Sequence, residues 1–184
     1  PGHSSAASDV YKRQTLARRL GEPQVVWFGD QGSEAASVLG EYGASAVHVV
    51  QGQDMADHPV VPIVDVLQAL VTELDATAVL VPSSADGKEA AGRLAVRIGS
   101  GVITDAVDIS ESGVATQSVF GGSTVVHSTV THGIGIYTVR PNSVAPEPAP
   151  TTCTVVDVDS TASEAAKTAR VVERTVAGKG GRPE

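Results

Sequence analysis

The chain has 184 residues, of which 41 % are hydrophobic and 18 % charged, a composition typical of one folded domain with a short tail. Its net charge of −8 disfavours a nucleic-acid-binding surface, because phosphate contacts require a net basic face. No apolar run approaches the roughly 20 residues of a membrane span, and the N-terminus lacks the basic and apolar regions of a secretory signal. We therefore expect a cytoplasmic protein without membrane insertion.

Residues 1–14 do not continue the pattern of the remaining chain. Small and polar residues come first, and residues 9–14 follow without any periodicity. The segment resembles translated adaptor sequence, so we predict that it is non-native or disordered and that order begins near Thr15.

Strands and helices alternate between residues 15 and 100. The apolar runs 24–28, 46–50 and 76–81 predict strands, and the segments 15–20, 34–42, 62–74 and 87–98 predict helices. This alternation predicts a three-layer, Rossmann-like α/β fold with a mostly parallel sheet. No convincing strand precedes Thr15, so we expect the strand at 24–28 or at 76–81 to lack one hydrogen-bonded neighbour.

The pattern changes after residue 100. Short β-type runs at 107–109, 114–119, 124–130 and 135–139 are separated by glycine-containing breaks, which predicts an added antiparallel meander. A proline-rich connector at 142–150 leads to one more strand at 153–158. We assign the domain to residues 15–176 and a linker to residues 177–184.

The segment 82–101 follows an apolar strand and opens a helix. An anion could bind the exposed amides at such a helix end, but Ser84 or Asp86 at the cap competes for the same position, and we favour capping. Small residues at Gly87 and Gly92 would let the helix lie close to the sheet, and we predict that Gly92 faces it. Glu89 and Arg93 are four residues apart and can pair along the helix surface.

The motifs of common enzyme and metal sites are absent from the sequence. It contains no dinucleotide-binding or phosphate-loop glycine pattern, no zinc-protease motif and no nucleophile elbow. Asp105 and Asp108 form a close pair, which a turn or strand edge explains as well as acid–base catalysis does. Cys153 is the only cysteine and is interpreted as an inert thiol. We predict no catalytic residues and no metal site.

Several segments, in order along the chain, resemble the alpha subunits of electron transfer flavoproteins, especially bacterial ones. They are residues 84–89, 92–95, 99–101, 105–108, 118–122, 137–141 and 181–184. The resemblance covers the chain from about residue 15 onward. Within these segments the family-motif residues of unproven role are Asp86, Gly87, Lys88, Glu89, Gly92, Arg93, Gly121, Gly122 and Arg140.

The resemblance implies an N-terminal α/β domain that acts as scaffold and subunit interface. In this family a C-terminal domain binds FAD, so the FAD ligands are expected beyond Glu184 and none within this fragment. The implied partners are a beta subunit, dehydrogenases such as acyl-CoA dehydrogenases, and a quinone reductase of the respiratory chain. The protein would be an electron carrier of fatty acid oxidation rather than an enzyme, in a bacterial cytoplasm.

The residue patterns alone leave two other functions open. One is a stand-alone nucleotide-binding α/β domain of the universal-stress type, although its phosphate loop matches residues 92–101 poorly. The other is an interaction module without a redox role. For a domain that binds a partner chain, Phe120 and Tyr137 would be the anchors if they are exposed.

Overall fold

The computed structural model of the chain describes residues 5–160 and 162–175. Its α-helices are α1 (Ser5–Ala17), α2 (Gly32–Glu41), α3 (Gln53–Asp57), α4 (Val61–Glu73) and α5 (Ala85–Ile98), and a single 3-10 turn spans Phe120–Gly122. Its strands are β1 (Gln24–Phe28), β2 (Ala46–Gln51), β3 (Ala78–Pro82), β4 (Val102–Ile109), β5 (Ala115–Val119), β6 (Thr124–Ser128), β7 (Gly135–Val139) and β8 (Thr154–Asp159). The predicted α/β class is confirmed, and the short helix α3 lies between the predicted strand at 46–50 and the predicted helix at 62–74.

The strands of the described residues form two sheets. The first has the order β1-β2-β8 and is wholly parallel, and the second has the order β3-β7-β4-β5-β6. β1 therefore has a neighbour on one side alone, and so does β3. The sequence predicted such an open edge at one of these two strands, and the structure shows it at both.

β7 departs from the predicted antiparallel meander. It pairs in parallel with β3 on one side and with β4 on the other, whereas β5 and β6 are antiparallel as predicted. Residues 136–139 of β7 are all buried, which is usual for a strand at the centre of a sheet covered on both faces. The chain after β6 thus returns to the parallel region instead of extending the antiparallel one.

Helices cover both faces of the second sheet. Ile136 and Tyr137 are neighbours on β7, so their side chains point to opposite faces. Ile136 packs with Val64 of α4 and Leu94 of α5, while Tyr137 packs with Leu16 of α1. This arrangement gives the three layers that the sequence predicts.

Residues 5–14, which the sequence predicted to be non-native or disordered, belong to a helix in the structure. α1 begins at Ser5, Tyr11 stacks on Tyr42 with ring centroids 4.6 Å apart, and the Gln14 amide donates a 2.8 Å hydrogen bond to the Leu39 carbonyl. Buried contacts along one helix face stabilise the segment although its sequence lacks a clear apolar period. Residues 1–4 and the predicted linker 177–184 lie outside the described residues.

Candidate functional site

The carboxyl ends of β3 and β7 meet the amino end of α5. In open α/β sheets this is the edge at which ligands bind. Ser83 follows β3 directly, and its backbone N–H donates a 2.9 Å hydrogen bond to the Val139 carbonyl at the end of β7. Ser83 is thereby held at the junction of the two strands.

The amino end of α5 is capped by its own sequence. Ser84 adopts extended backbone angles, and its Oγ accepts a 3.1 Å hydrogen bond from the Gly87 N–H, as the sequence predicts for one of its two cap residues. Gly87 is buried, and a Cβ atom there would overlap the Pro82 carbonyl oxygen. A glycine is therefore needed where α5 leaves the end of β3.

A chain of hydrogen bonds ties the three strand ends together. The Thr138 hydroxyl lies 2.9 Å from Ser83 Oγ, and Ser83 Oγ donates a 2.6 Å hydrogen bond to Asp105 Oδ1. Thr138 Oγ1 in turn accepts a 2.8 Å hydrogen bond from the Asp105 N–H. Because Ser83 already donates to Asp105, Thr138 must be the donor to Ser83. Each hydroxyl then donates one hydrogen bond, and β3, β4 and β7 are joined by side chains.

Lys88 completes this network from the first turn of α5. Its Nζ lies 2.8 Å from Asp105 Oδ2, and this hydrogen bond, together with that from Ser83, lowers the pKa of the Asp105 carboxyl. Asp105 also has a φ of 58°, in the left-handed region, at an irregularity in the register of β4. Aspartate tolerates this region better than most residues. The backbone therefore positions the Asp105 carboxylate, and the hydrogen bonds from Lys88 and Ser83 keep it ionised.

The network is suited to holding structure rather than to acid–base chemistry. A carboxylate whose pKa is lowered is a weak base, and no imidazole contacts Ser83 among the described residues, so Ser83 lacks the activation of a catalytic nucleophile. A cleft of about 220 Å³ lies beside it, lined in part by Ser83, Arg13 and Arg140. The cleft is small for a cofactor site, since drug-sized ligands occupy roughly 300–1,000 Å³.

The predicted motif residues of α5 lie on different sides of that helix. Glu89 and Arg93 form the expected surface pair at 2.9 Å, and Asp86 is exposed near the cap. The prediction that Gly92 faces the sheet is wrong, because a Cβ atom at Gly92 would contact nothing within 4 Å. Ala91 and Leu94 occupy the buried face instead, since the helical rotation from Gly87 carries Gly92 outward.

Gly121 and Gly122 belong to another part of the molecule. They have φ angles of 67° and 90° in the turn between β5 and β6, where a left-handed backbone favours glycine. Phe120 in the same turn is 83 % exposed. The Arg140 guanidinium donates a 3.3 Å hydrogen bond to the Ser118 carbonyl, which connects this hairpin to the end of β7. The motif residues are therefore not gathered in one site.

Tyr137 is not the exposed anchor that the sequence suggested. Its side chain is 3 % exposed, and its hydroxyl donates a 2.8 Å hydrogen bond to the Gly113 carbonyl in the turn between β4 and β5. Burial raises the pKa of the Tyr137 phenol. Tyr137 is buried rather than exposed because β7 lies at the centre of its sheet, where helices cover both faces of the strand.

The remaining reactive side chains that the structure describes lie apart from one another. Asp105 and Asp108 contact different cations, since Asp108 lies 2.6 Å from Arg19. Burial raises the pKa of the Cys153 thiol. Within residues 5–160 and 162–175 no group of three potential metal ligands is present, and no helix is long and apolar enough to cross a membrane.

The sequence did not single out Ser83 and Thr138 as partners of Asp105. A signal was present, because each is a polar residue at the end of an apolar β run. Their contact required the parallel pairing of β3 with β7. The sequence pattern had placed β3 in the alternating α/β region and β7 in the antiparallel meander.

The comparisons with known proteins match the architecture. The family model of the electron transfer flavoprotein domain matches residues 14–178. The electron transfer flavoprotein alpha subunits of Mycobacterium tuberculosis and Mycobacterium leprae are each 42 % identical over 137 residues, which is 73 % of this chain and 43 % of theirs. That of Syntrophomonas wolfei is 28 % identical over 136 residues, which is 72 % of this chain and 43 % of its own. The chain thus spans less than half the length of these relatives. It belongs to the electron transfer flavoprotein family, and its fold is the one expected for the N-terminal domain of an alpha subunit.

Proposed function

We propose that this chain is the scaffold domain of a heterodimeric electron transfer flavoprotein and forms part of the interface with the beta subunit. In this role it carries no catalytic residues of its own. The complex moves electrons from dehydrogenases, such as acyl-CoA dehydrogenases, to the respiratory chain through a quinone reductase. The family match over residues 14–178 is the observation that carries the proposal. We place residues 15–176 in this domain and FAD in a domain that follows it.

The cleft beside Ser83 supports the placement of FAD outside this domain. Its volume of about 220 Å³ is too small for a dinucleotide. At the neighbouring helix end the Gly87 N–H, which could bind a phosphate, is already bonded to Ser84 Oγ. The cleft beside Ser83 and the adjoining end of α5 therefore do not fit FAD, which supports a flavin site in other parts of the complex.

The hairpin of β5 and β6 supports the interface. Phe120 at its tip is 83 % exposed, and Val125 on β6 is 59 % exposed. All of residues 124–127 are exposed, so one arm of the domain presents apolar side chains without a covering layer. Exposed apolar patches commonly mark protein-binding sites, and aromatic residues are frequent among the side chains that dominate binding energy.

Co-expression with an electron transfer flavoprotein beta subunit tests the proposal. We expect a 1:1 complex in size-exclusion chromatography at micromolar concentration. Retention of both proteins as separate monomers would overturn the interface role.

A flavin-binding measurement tests the placement of the cofactor. The purified chain is mixed with FAD and desalted, and the flavin absorbance of the protein fraction is recorded. We expect almost none to remain, whereas stoichiometric flavin would contradict the proposal. The same procedure with ATP addresses the universal-stress alternative, which requires a nucleotide to bind to the isolated domain.

A further inference from the structure

Helix α3 is held mainly by the segment 162–175, which follows β8 in the chain. α3 contains no buried residue, and Met55 is the side chain that connects it to a hydrophobic cluster. The Asp54 carboxylate accepts a 3.3 Å hydrogen bond from the Ala162 N–H and lies 3.6 Å from the Lys167 ammonium group. Both contacts attach α3 to the segment and not to the core of the domain.

Backbone groups continue this attachment. The Asp57 carbonyl accepts a 2.8 Å hydrogen bond from the Val171 N–H. His58 Nδ1 lies 2.6 Å from the Ala169 carbonyl oxygen and must be the donor, because a carbonyl only accepts. The segment is therefore bonded to the chain from Asp54 to His58.

The segment 162–175 has few contacts with the remainder of the domain beyond α3 and His58. In the part of the chain that the structure describes, it makes one such hydrogen bond, from the Ser163 N–H to Asp65 Oδ2 of α4 at 2.9 Å. Its two buried residues are Ala162 and Ala166, and each contributes only a methyl group to packing. The segment is thus joined more strongly to α3 than to the body of the domain.

The backbone adopts unfavourable angles on both sides of α3. Gly52 has a φ of 146° and a ψ of 148°, a combination essentially restricted to glycine. Val60 has a φ of 56° and a ψ of −53°, and the Val61 N–H donates a 2.6 Å hydrogen bond to the Pro59 carbonyl. This is a γ-turn of the rare, strained type, and a β-branched residue at positive φ adds to the strain. The Val60 side chain is buried in the cluster formed with α4 and α5, so this turn marks the boundary with the body of the domain.

α3 lies over the carboxyl ends of the first sheet. Met55 packs in the same cluster as Phe28, Val50 and Val158, which lie at or near the ends of β1, β2 and β8. Ligands of open α/β sheets bind at the carboxyl ends of the strands. Movement of α3 away from the cluster would expose this edge.

We propose that α3 and residues 162–175 form one flap, which opens as a unit about Gly52 and Val60 and uncovers the carboxyl ends of β1, β2 and β8. Release of the Met55 and Ser163 contacts frees both parts together, because the hydrogen bonds between them stay intact. Opening also relieves the strain at Val60, which lowers the free energy of the open state relative to the closed one. This inference does not depend on the proposed electron-transfer role.

Native-state hydrogen exchange tests whether the flap opens as a unit. The reporters are the amides of His58, Ser163 and Val171, which donate hydrogen bonds to the Asp54 carbonyl, the Asp65 carboxylate and the Asp57 carbonyl. We expect these amides to share one opening free energy and to be about a hundred-fold less protected than the amides of β7. Unequal opening free energies, or exchange only through global unfolding, would overturn the proposal.

Asp54→Ala tests the coupling between the two parts of the flap. The substitution removes the contacts with Ala162 and Lys167, whereas the Val171 N–H is bonded to Asp57 instead. We expect the protection of the Val171 amide to fall about three-fold, because one opening equilibrium governs the whole flap. Loss of protection at Ala162 alone would show that the two parts open independently.

Asp30→Ala is the matched control for this variant. Asp30 is exposed in the loop between β1 and α2, and it makes no hydrogen bond or ion pair with any residue that the structure describes. Protection in the flap should therefore stay as in the wild type. An equal loss of protection in both variants would attribute the effect to net charge and contradict the coupling.

Gly52→Ala tests the hinge. The new Cβ atom would lie 3.9 Å from the nearest atom of Ser160, so the backbone angles rather than a collision oppose the closed state. We expect about ten-fold lower protection at His58 and Val171, with the amides of β7 unchanged. Gly121→Ala also places alanine at positive φ, in the turn between β5 and β6, and should leave the flap unchanged. Unaltered protection in the flap of Gly52→Ala, or an equal loss in both variants, would overturn the assignment of the hinge.

Discussion

Gly87 and the Pro82 carbonyl are in direct contact, with no room for a side chain between them. A Cβ atom on Gly87 would overlap that oxygen, whereas a Cβ atom on Gly92, five residues along the same helix, would meet nothing. The two glycines of α5 therefore have opposite requirements, although the sequence presents them as one set of small residues.

This contrast predicts opposite effects of one substitution. Gly87→Ala should lower the free energy of unfolding by about 1–3 kcal/mol, because α5 must move away from β3. Gly92→Ala should raise it by up to about 1 kcal/mol, because alanine favours the helix over the unfolded chain. Urea unfolding followed by circular dichroism measures both. A destabilised Gly92→Ala protein would show that this residue is buried after all.

The ion pair of Asp105 and Lys88 predicts a pH-dependent contribution to stability. The pKa of the Asp105 carboxyl is lowered from 3.8 in the folded state, mainly by its hydrogen bond from Lys88 and then by that from Ser83. The unfolded chain therefore binds the proton more readily, so the stabilisation is present above about pH 4 and is lost as the pH falls through the folded pKa. The pair is about 40 % exposed, which limits its contribution to about 1 kcal/mol.

Asp105→Asn tests this pH dependence. We expect the variant to be less stable than the wild type at pH 7 and the difference to shrink below about pH 4, as measured by urea midpoints across that range. Glu89→Gln is the control, because its exposed pair with Arg93 contributes only a few tenths of a kcal/mol. A difference that stays constant down to the lowest pH would rule out ionisation of Asp105 as the cause.

Phe120→Asp should separate partner binding from folding. The Phe120 side chain is 83 % exposed, so the thermal midpoint of the isolated domain should change little. We expect the complex with a beta subunit to weaken at least ten-fold in titration calorimetry, because a charge would be buried at the interface. Val96→Asp, at a residue that is 85 % exposed on α5, should leave the complex intact. Equal weakening by both variants would indicate a general charge effect.

Tyr137→Phe should destabilise the domain through one hydrogen bond. The substitution removes the hydroxyl that donates to the Gly113 carbonyl and leaves that acceptor without its partner. We expect a loss of about 1–2 kcal/mol in urea unfolding and faster hydrogen exchange in the turn between β4 and β5. An unchanged midpoint would mean that water replaces the hydroxyl.

The sequence alone determined the features that depend on residues close together along the chain. The apolar run of β1 predicted that strand with its observed bounds, and Ser84 was correctly expected among the capping residues of α5. Alternation of strands and helices predicted the α/β class, because a parallel sheet requires helical crossovers. The order of weak motifs predicted the family, which the match over residues 14–178 confirms.

Only the tertiary structure decided which strands are neighbours. β7 has the pattern of a short β run, which does not distinguish the end of a meander from a central parallel strand, since strand pairing joins residues far apart in sequence. Its insertion between β3 and β4 buried Tyr137, brought Thr138 to Ser83 and Asp105, and left β3 with one free edge toward β1. Local propensity cannot encode these outcomes, because each depends on the packing of several elements at once.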